Sequence, residues 1–167
     1  MASDGEHLIL YKRVANEQVE VVDSWQKPVE FLDVLAAARE TGLPPSRLFF
    51  DDNVRAEDLP VLYLGTSINH YIEIQLASSV ANTESRPLGL TKVEFGIVAT
   101  LARRPNVAVT RAQIIRATNI LSEAAVTTHM SRVRGKLDSH KDLISAMSGF
   151  GQYMGVLEFD PADIPPD

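Results

Sequence analysis

Two short boxes stand close together in the second half of this chain, Thr91 with Glu94 and Thr110 with Gln113. In such a box the Thr hydroxyl accepts from the N–H three residues on, and the Glu or Gln side chain returns to the Thr N–H. Each box therefore fixes where a helix begins more firmly than propensity does. Phe95, Val98 and Leu101 follow the first box, Ile114 and Ile115 the second, and Ser122 is the N-cap candidate of a third helix. Arg103–Arg104–Pro105–Asn106 ends the first helix. Three helices joined by tight turns are expected between Thr91 and Leu137.

The third helix, Ser122 to Leu137, has two unlike sides. At about 100° per residue, Val126, Met130, Val133 and Leu137 share an arc of roughly 60° and form a core-facing stripe. Ala124, Thr128, Ser131 and Gly135 occupy the far face, with Arg132, His129 and Lys136 on one shoulder and Thr127 and Arg134 on the other. A helix that enters the DNA major groove needs this division, with short side chains toward the bases and cations at the edges for phosphates. A solvated basic face on an ordinary surface helix reads the same way from this stretch alone.

Charge is divided along the chain. The formal net charge is −6, yet residues 1–86 carry −7, residues 87–156 carry +5 and residues 157–167 carry −4. A basic module between acidic segments points to a nucleic-acid surface better than the total does. The absence of Cys excludes disulfides and thiolate metal sites and fits a reducing cytoplasm. His7, His70, His129 and His140 show no paired ligand spacing, so no metal or other cofactor is expected. No apolar run is long enough to span a membrane, and no export signal opens the chain.

Before the helices, HLILYKRV and VEVVDSW around a polar break suggest a hairpin. PVEFLDVLAAARETG changes to helical spacing, with Pro28 early and Gly42 just past the end. Short strands are expected at LPPSRLFFDD and from Leu59 to Leu64. Asp51–Asp52 after a strand can hold a metal or accept a phosphoryl group, or simply cap a solvated turn. Strand character returns at Tyr71–Leu76, near Val80 and at Leu88–Leu90, with a polar turn at Asn82–Ser85. Beyond Leu137, LISAMS and YMGVLEF around GFGQ read as a second hairpin, and DPADIPPD as a mobile acidic, proline-rich tail.

The order helix, helix, basic helix, β-hairpin is that of a winged helix-turn-helix. Residues 72–156 resemble the carboxy-terminal output domain of OmpR/PhoB-type response regulators. RPLGLTKVEFGIVATLARRPNVAVTRAQII is similar to that family's L-T-x-x-E-F…P…V-x-S/T-R-x-x-L run, VTTHMSRVRGKL to its recognition helix, and ISAMSGFGQY to its wing. Ile72 to Thr91 fits the small sheet that the family sets before its first helix.

The resemblance implies an α+β fold, a winged helix-turn-helix of small antiparallel sheet, three helices and β-hairpin wing, preceded by a small α/β domain. It implies that His129, Arg132 and Arg134 face DNA phosphates or bases and that Arg111 holds a backbone phosphate at a helix start. Thr127, Thr128 and Ser131 are the base-edge candidates and Lys136 a further DNA contact. At Ser148 the family usually has a wing Arg, and the turn Thr118–Asn119–Ile120–Leu121 is shorter than the family's polymerase-contacting loop.

The expected organisation is a small α/β domain over 1–66, the winged helix over 67–158 and the tail over 159–167. The first is too short for a full receiver with its phosphoacceptor. It is expected to be an atypical or truncated one that serves homodimerisation or partner binding rather than a phosphorylation switch. These features together lead to the expectation of a cytoplasmic, sequence-specific DNA-binding regulator of transcription, not an enzyme. Its expected partners are double-stranded DNA, a second copy and RNA polymerase. The alternative is a protein-binding module or anti-regulator that uses a winged-helix scaffold to hold another transcription protein.

Overall fold

A computed structural model of the chain describes residues 7–13, 19–26, 30–51, 59, 61–83, 86–147 and 151–165. The chain divides between Leu59 and Pro60 into two units.

In the first unit, strands β1 (His7–Arg13), β2 (Val19–Gln26) and β3 (Leu48–Asp51) form an antiparallel sheet in the order β2-β1-β3. Alternation in β1 sends Leu8 and Leu10 to one face. The helix α1 (Phe31–Glu40) covers that face, so Leu10, Trp25, Val34 and Ala37 make a small core against which Leu8, Val22, Ala38 and Leu48 pack. A register shift between Leu10 and Tyr11 leaves Val22 as the extra residue of β2. Elsewhere in the sheet Tyr11 stacks on its register partner Phe49 at 5.2 Å, and the Arg13 guanidinium lies over the same ring at 5.7 Å. The hairpin, helix and third strand expected from the sequence are all present. The helix begins at Phe31 after an extended Glu30. Lys27–Pro28 and Asp52 lie outside the described residues, and of Asp51 only the backbone is described.

The second unit opens with an antiparallel meander of β4 (Val61–Ser67), β5 (His70–Gln75), β6 (Val80–Thr83) and the two-residue β7 (Arg86–Pro87). This corrects two expectations. The strand near Leu59–Leu64 does not belong to a first domain ending at residue 66. It pairs with β5 across the two-residue turn Ile68–Asn69, because the nearest partner costs the least closure entropy. The third strand falls at Arg86–Pro87, not at Leu88–Leu90, where Gly89 adopts a left-handed φ of 61°. The second correction also places Asn82 and Thr83, expected in a turn, inside β6.

The helices follow as α2 (Lys92–Ala102), α3 (Arg111–Thr118) and α4 (Glu123–Leu137), each starting where its cap was expected. Both boxes close reciprocally, Glu94 and Gln113 each returning to the Thr N–H at 2.8 Å. Ser122 Oγ accepts from Ala125 N at 3.2 Å. Asn119 ends α3 in the left-handed region at φ 55° and lets the chain reverse within four residues into α4. The wing is the hairpin β9 (Ile144–Met147) and β10 (Gln152–Gly155), and β10 also pairs with the short β8 (Val109–Thr110). Ser148, Gly149 and Phe150 of the wing lie outside the described residues.

The core of this unit is continuous. Leu64, Ile72 and Ile74 from the sheet join Ile97, Val98 and Leu101 of α2, Ile114 of α3, the four apolar residues of α4, and Leu143 and Ile144, all essentially sealed from solvent. Beyond the wing the chain returns to the first strand of the unit. Gly65 N donates to Val156 O at 2.7 Å and Glu158 N to Gly65 O at 2.9 Å. Asn106, at φ 62°, clamps the same segment from outside, its amide donating to Leu157 O and accepting from Leu157 N. Phe159 then lies across Gly65 onto Tyr71, with ring centroids 5.7 Å apart. The stretch expected as a mobile tail over 159–167 thus begins as an anchored one, and a short 3-10 turn at Pro161–Asp163, capped by Asp160, continues it.

Candidate nucleic-acid interface

α4 is held by its buried stripe. Val126, Met130, Val133 and Leu137 are each at most 2% exposed, so the rotation of the helix about its axis is fixed by packing on α2 and α3. That rotation sends Ala124, Thr127, Thr128, Ser131, Arg132 and Gly135 to solvent. Arg134 and His129 are half-buried on opposite shoulders. Among the polar side chains of the turning face, Thr127 Oγ1 donates to Glu123 O at 3.2 Å and Thr128 Oγ1 to Ala124 O at 3.1 Å. With their protons committed backward to the helix, these two hydroxyls present lone pairs outward. His129 keeps Nδ1 buried without a partner among the described residues, leaving Nε2 as the nitrogen that can meet a ligand.

Arg111, the first residue of α3, is positioned by the wing. Its backbone N–H donates to Gly151 O at 3.0 Å, and its guanidinium lies so close to Gly151 that a Cβ there would stand 3.1 Å from Cζ. Gly151 also takes a φ of 60°, so the turn needs glycine for two reasons. Glu123 Oε2 stands 3.9 Å from Arg111 Nη1, a loose and exposed pair that an anionic ligand can displace.

Lys136, expected as a DNA contact, is engaged within the fold. Its ammonium donates to Glu94 Oε2 at 2.6 Å and to Gly89 O at 2.8 Å. The carboxylate it meets is the one that caps α2, and that side chain is only 3% exposed. Burial raises the Glu94 pKa, but the hydrogen bonds from Lys136 and from Thr91 N more than offset it and hold the carboxyl below its ordinary value. The cation is engaged because a buried carboxylate needs a counter-charge more than a solvated phosphate does.

The turn after α4 also differs from a simple polar loop. Asp138 to Leu143 wind into 3-10 geometry, burying His140, whose ring stacks on His70 at 4.5 Å. His70 Nε2 in turn meets the Asp142 carboxylate at 3.1 Å. Nothing in the sequence spacing of these residues signals the pair, because β5 and the turn meet only in the folded unit. Among the described residues, no group of three or more His, Cys, Asp or Glu is arranged to hold a metal ion. Nor is any described helix long and apolar enough to cross a membrane.

Residues 85–154 match the protein family described as "Transcriptional regulatory protein, C terminal". Among solved structures, the chain is similar to the DNA-binding domain of response regulator AdeR, crystallised in complex with an intercistronic region. That likeness has 26% identity over 51% of this chain and 92% of the other, with a TM-score of 0.45. It is also similar to a structure described as "A novel family of redox sensors in the streptococci evolved from two-component response regulators", at 21% identity over 77% of this chain, with a TM-score of 0.46. This chain spans about half of that one, 55%. No curated protein matches the chain.

Proposed function

We propose that this chain binds specific DNA sequences and regulates transcription by laying α4 in the major groove, a reading supported by the match of residues 85–154 to the family described as "Transcriptional regulatory protein, C terminal". The observation that carries this reading is the outward face of α4, short-chained at its centre and bearing Arg132 and Arg134 at its edges. Thr127 and Thr128, presenting acceptors, favour the amino donors of adenine and cytosine over an acceptor-only edge. Ser131 adds a third hydroxyl to the same face. Arg111, at the start of α3, serves a backbone phosphate, and His129 offers Nε2 to another. Lys136 is assigned to structure, not to DNA.

The activity is not switched by phosphorylation of the first unit, whose described residues form three strands and one helix rather than a five-stranded receiver. We assign that unit to homodimerisation and the protein to the cytoplasm, with no enzymatic step. The test is affinity for selected genomic fragments measured against salt. Release of counterions by several phosphate contacts gives a steep negative log–log slope, and Arg132→Ala lowers that slope by about 1 while leaving the thermal melt in place. A flat slope, or failure to select any fragment, ends the reading.

One observation favours a second reading, the protein-binding module. Leu121 is 98% exposed in the turn that stands where the resembled family has its polymerase-contacting loop, a place suited to contact with another protein such as RNA polymerase. A stoichiometric protein partner held by a chain that retains no selected DNA would decide for it.

A further inference from the structure

The line of α4 farthest from its buried stripe runs through Ala124, Thr128, Ser131 and Gly135, all of them exposed. At about 100° per residue these four share an arc of roughly 60°. None of them is charged. The cations stand to either side, Arg132 and His129 on one shoulder and Arg134 on the other. Phosphates are met by the shoulders, so the uncharged line is the part of the helix that faces base edges. Its capacity for hydrogen bonds is small. Ala124 and Gly135 have no polar side-chain atom, and Thr128 Oγ1 already donates to Ala124 O at 3.1 Å.

A helix-turn-helix brings the N-terminal residues of its recognition helix to the bases, which selects Ala124 and Thr128 from the four. They lie one turn apart, about 6 Å along the axis, with room for one methyl group between them. A polar base atom pressed against this pair gives up water and finds only the remaining lone pair of Thr128 in exchange, which is a net loss. In the major groove a single base carries an apolar group at its edge, thymine with its 5-methyl. We infer that Ala124 and Thr128 together read that methyl, so that the sequence bound by α4 contains a thymine whose 5-methyl packs between the Ala124 β-carbon and the Thr128 γ-methyl.

The oxygen and the methyl of Thr128 point to the same class of sequence. A short run of A·T pairs supplies both partners, the methyl from thymine and an amino donor from adenine. Guanine supplies neither, because both of its major-groove atoms are acceptors and the Thr128 proton is committed to the helix. The inference rests on the reading of α4 as the helix that enters the groove, and adds the base that it selects and the two residues that select it.

Uracil in place of thymine removes the methyl and leaves the hydrogen-bonding atoms of the pair unchanged, so it isolates this contact. The experiment takes the full chain and a selected genomic fragment, remade as duplexes in which one thymine at a time is replaced by uracil. Burying one methyl corresponds to about fourfold in affinity, and a loss of that size is expected at one thymine in each copy of the recognised sequence, with little change elsewhere. Thr128→Ser keeps the hydroxyl but lacks the γ-methyl, and brings the two duplexes at that position toward equal affinity. Thr128→Val keeps the methyl but lacks the hydroxyl, and holds the ratio at about fourfold. Thr128 is exposed, so neither change touches the core, and both variants are expected to melt with the wild type. Equal binding of every uracil duplex by the wild type overturns the inference. So does a ratio that survives Thr128→Ser unchanged, as expected if the wing or the shape of the duplex senses the thymine. Either result leaves the salt-dependent binding of the fragment standing, whereas failure to select any fragment removes the DNA reading and this inference with it.

Discussion

Replacing Lys136 by Met separates its two candidate roles. The change keeps most of the aliphatic stem and removes the ammonium that meets Glu94 Oε2 at 2.6 Å and Gly89 O at 2.8 Å. The Glu94 carboxylate, 3% exposed, then keeps its hydrogen bonding to Thr91 but no counter-charge from Lys136. Deleting one partner of a fully buried pair costs about 3–5 kcal/mol. Here the lysine side chain is 34% exposed, so water reaches one side of the pair and the cost falls to about 1–2 kcal/mol.

For a unit of this size that is a fall in Tm of about 5–10 °C. The loss is largest near neutral pH. The lowered folded-state pKa of Glu94 contributes stability above the unfolded carboxyl value, about 4.3, which disappears as pH falls through the folded value. Below that value the wild type and Lys136→Met converge. Adding Glu94→Gln to Lys136→Met restores much of the stability, since a neutral amide can still cap Thr91. The assay is urea unfolding by circular dichroism, run beside the salt dependence of DNA affinity. An unchanged midpoint with several-fold weaker DNA binding and a shallower salt slope would show Lys136 on a phosphate and refute the reasoning.

Other perturbations test the rest. Gly135→Ala, on the exposed face of α4 with nothing within 4 Å of the added methyl, is expected to stabilise the chain by about 0.5–1 kcal/mol in thermal melts while weakening binding to selected DNA. Gly65→Ala drives a Cβ to 2.4 Å from Tyr71 Cβ and 2.8 Å from His70 O, neither of which is a flexible end. A loss of about 2 kcal/mol or more follows, and Phe159→Ala does not restore it. Asn106→Gly keeps the left-handed backbone but removes both side-chain bonds to Leu157. The expected cost in urea unfolding is about 1–2 kcal/mol.

What the sequence revealed was local. The Thr91 and Thr110 boxes, the Ser122 cap and the stripe of α4 all depend on residues three or four apart, so helix starts and the outward face of α4 could be read directly. What it hid depended on distant partners. Lys136 looks like its basic neighbours, and only the fold brings it to Glu94 and Gly89, 42 and 47 residues away. The strand Val61–Ser67 was legible as a strand, but its partner was not, because apolar alternation names a face and not a neighbour. The stacking of His70 on His140 has the same origin.

The pairing of Gly65 with the segment around Leu157 sets the order in which the second unit can be completed during translation. At about 5–20 residues per second, the ribosome takes on the order of 5 to 20 s to go from one to the other. Throughout that interval the outer side of β4 presents unbonded backbone, the kind of edge that recruits strands from neighbouring chains. The nascent protein is thus more vulnerable to aggregation until the stitch at Leu157 closes that edge at Gly65.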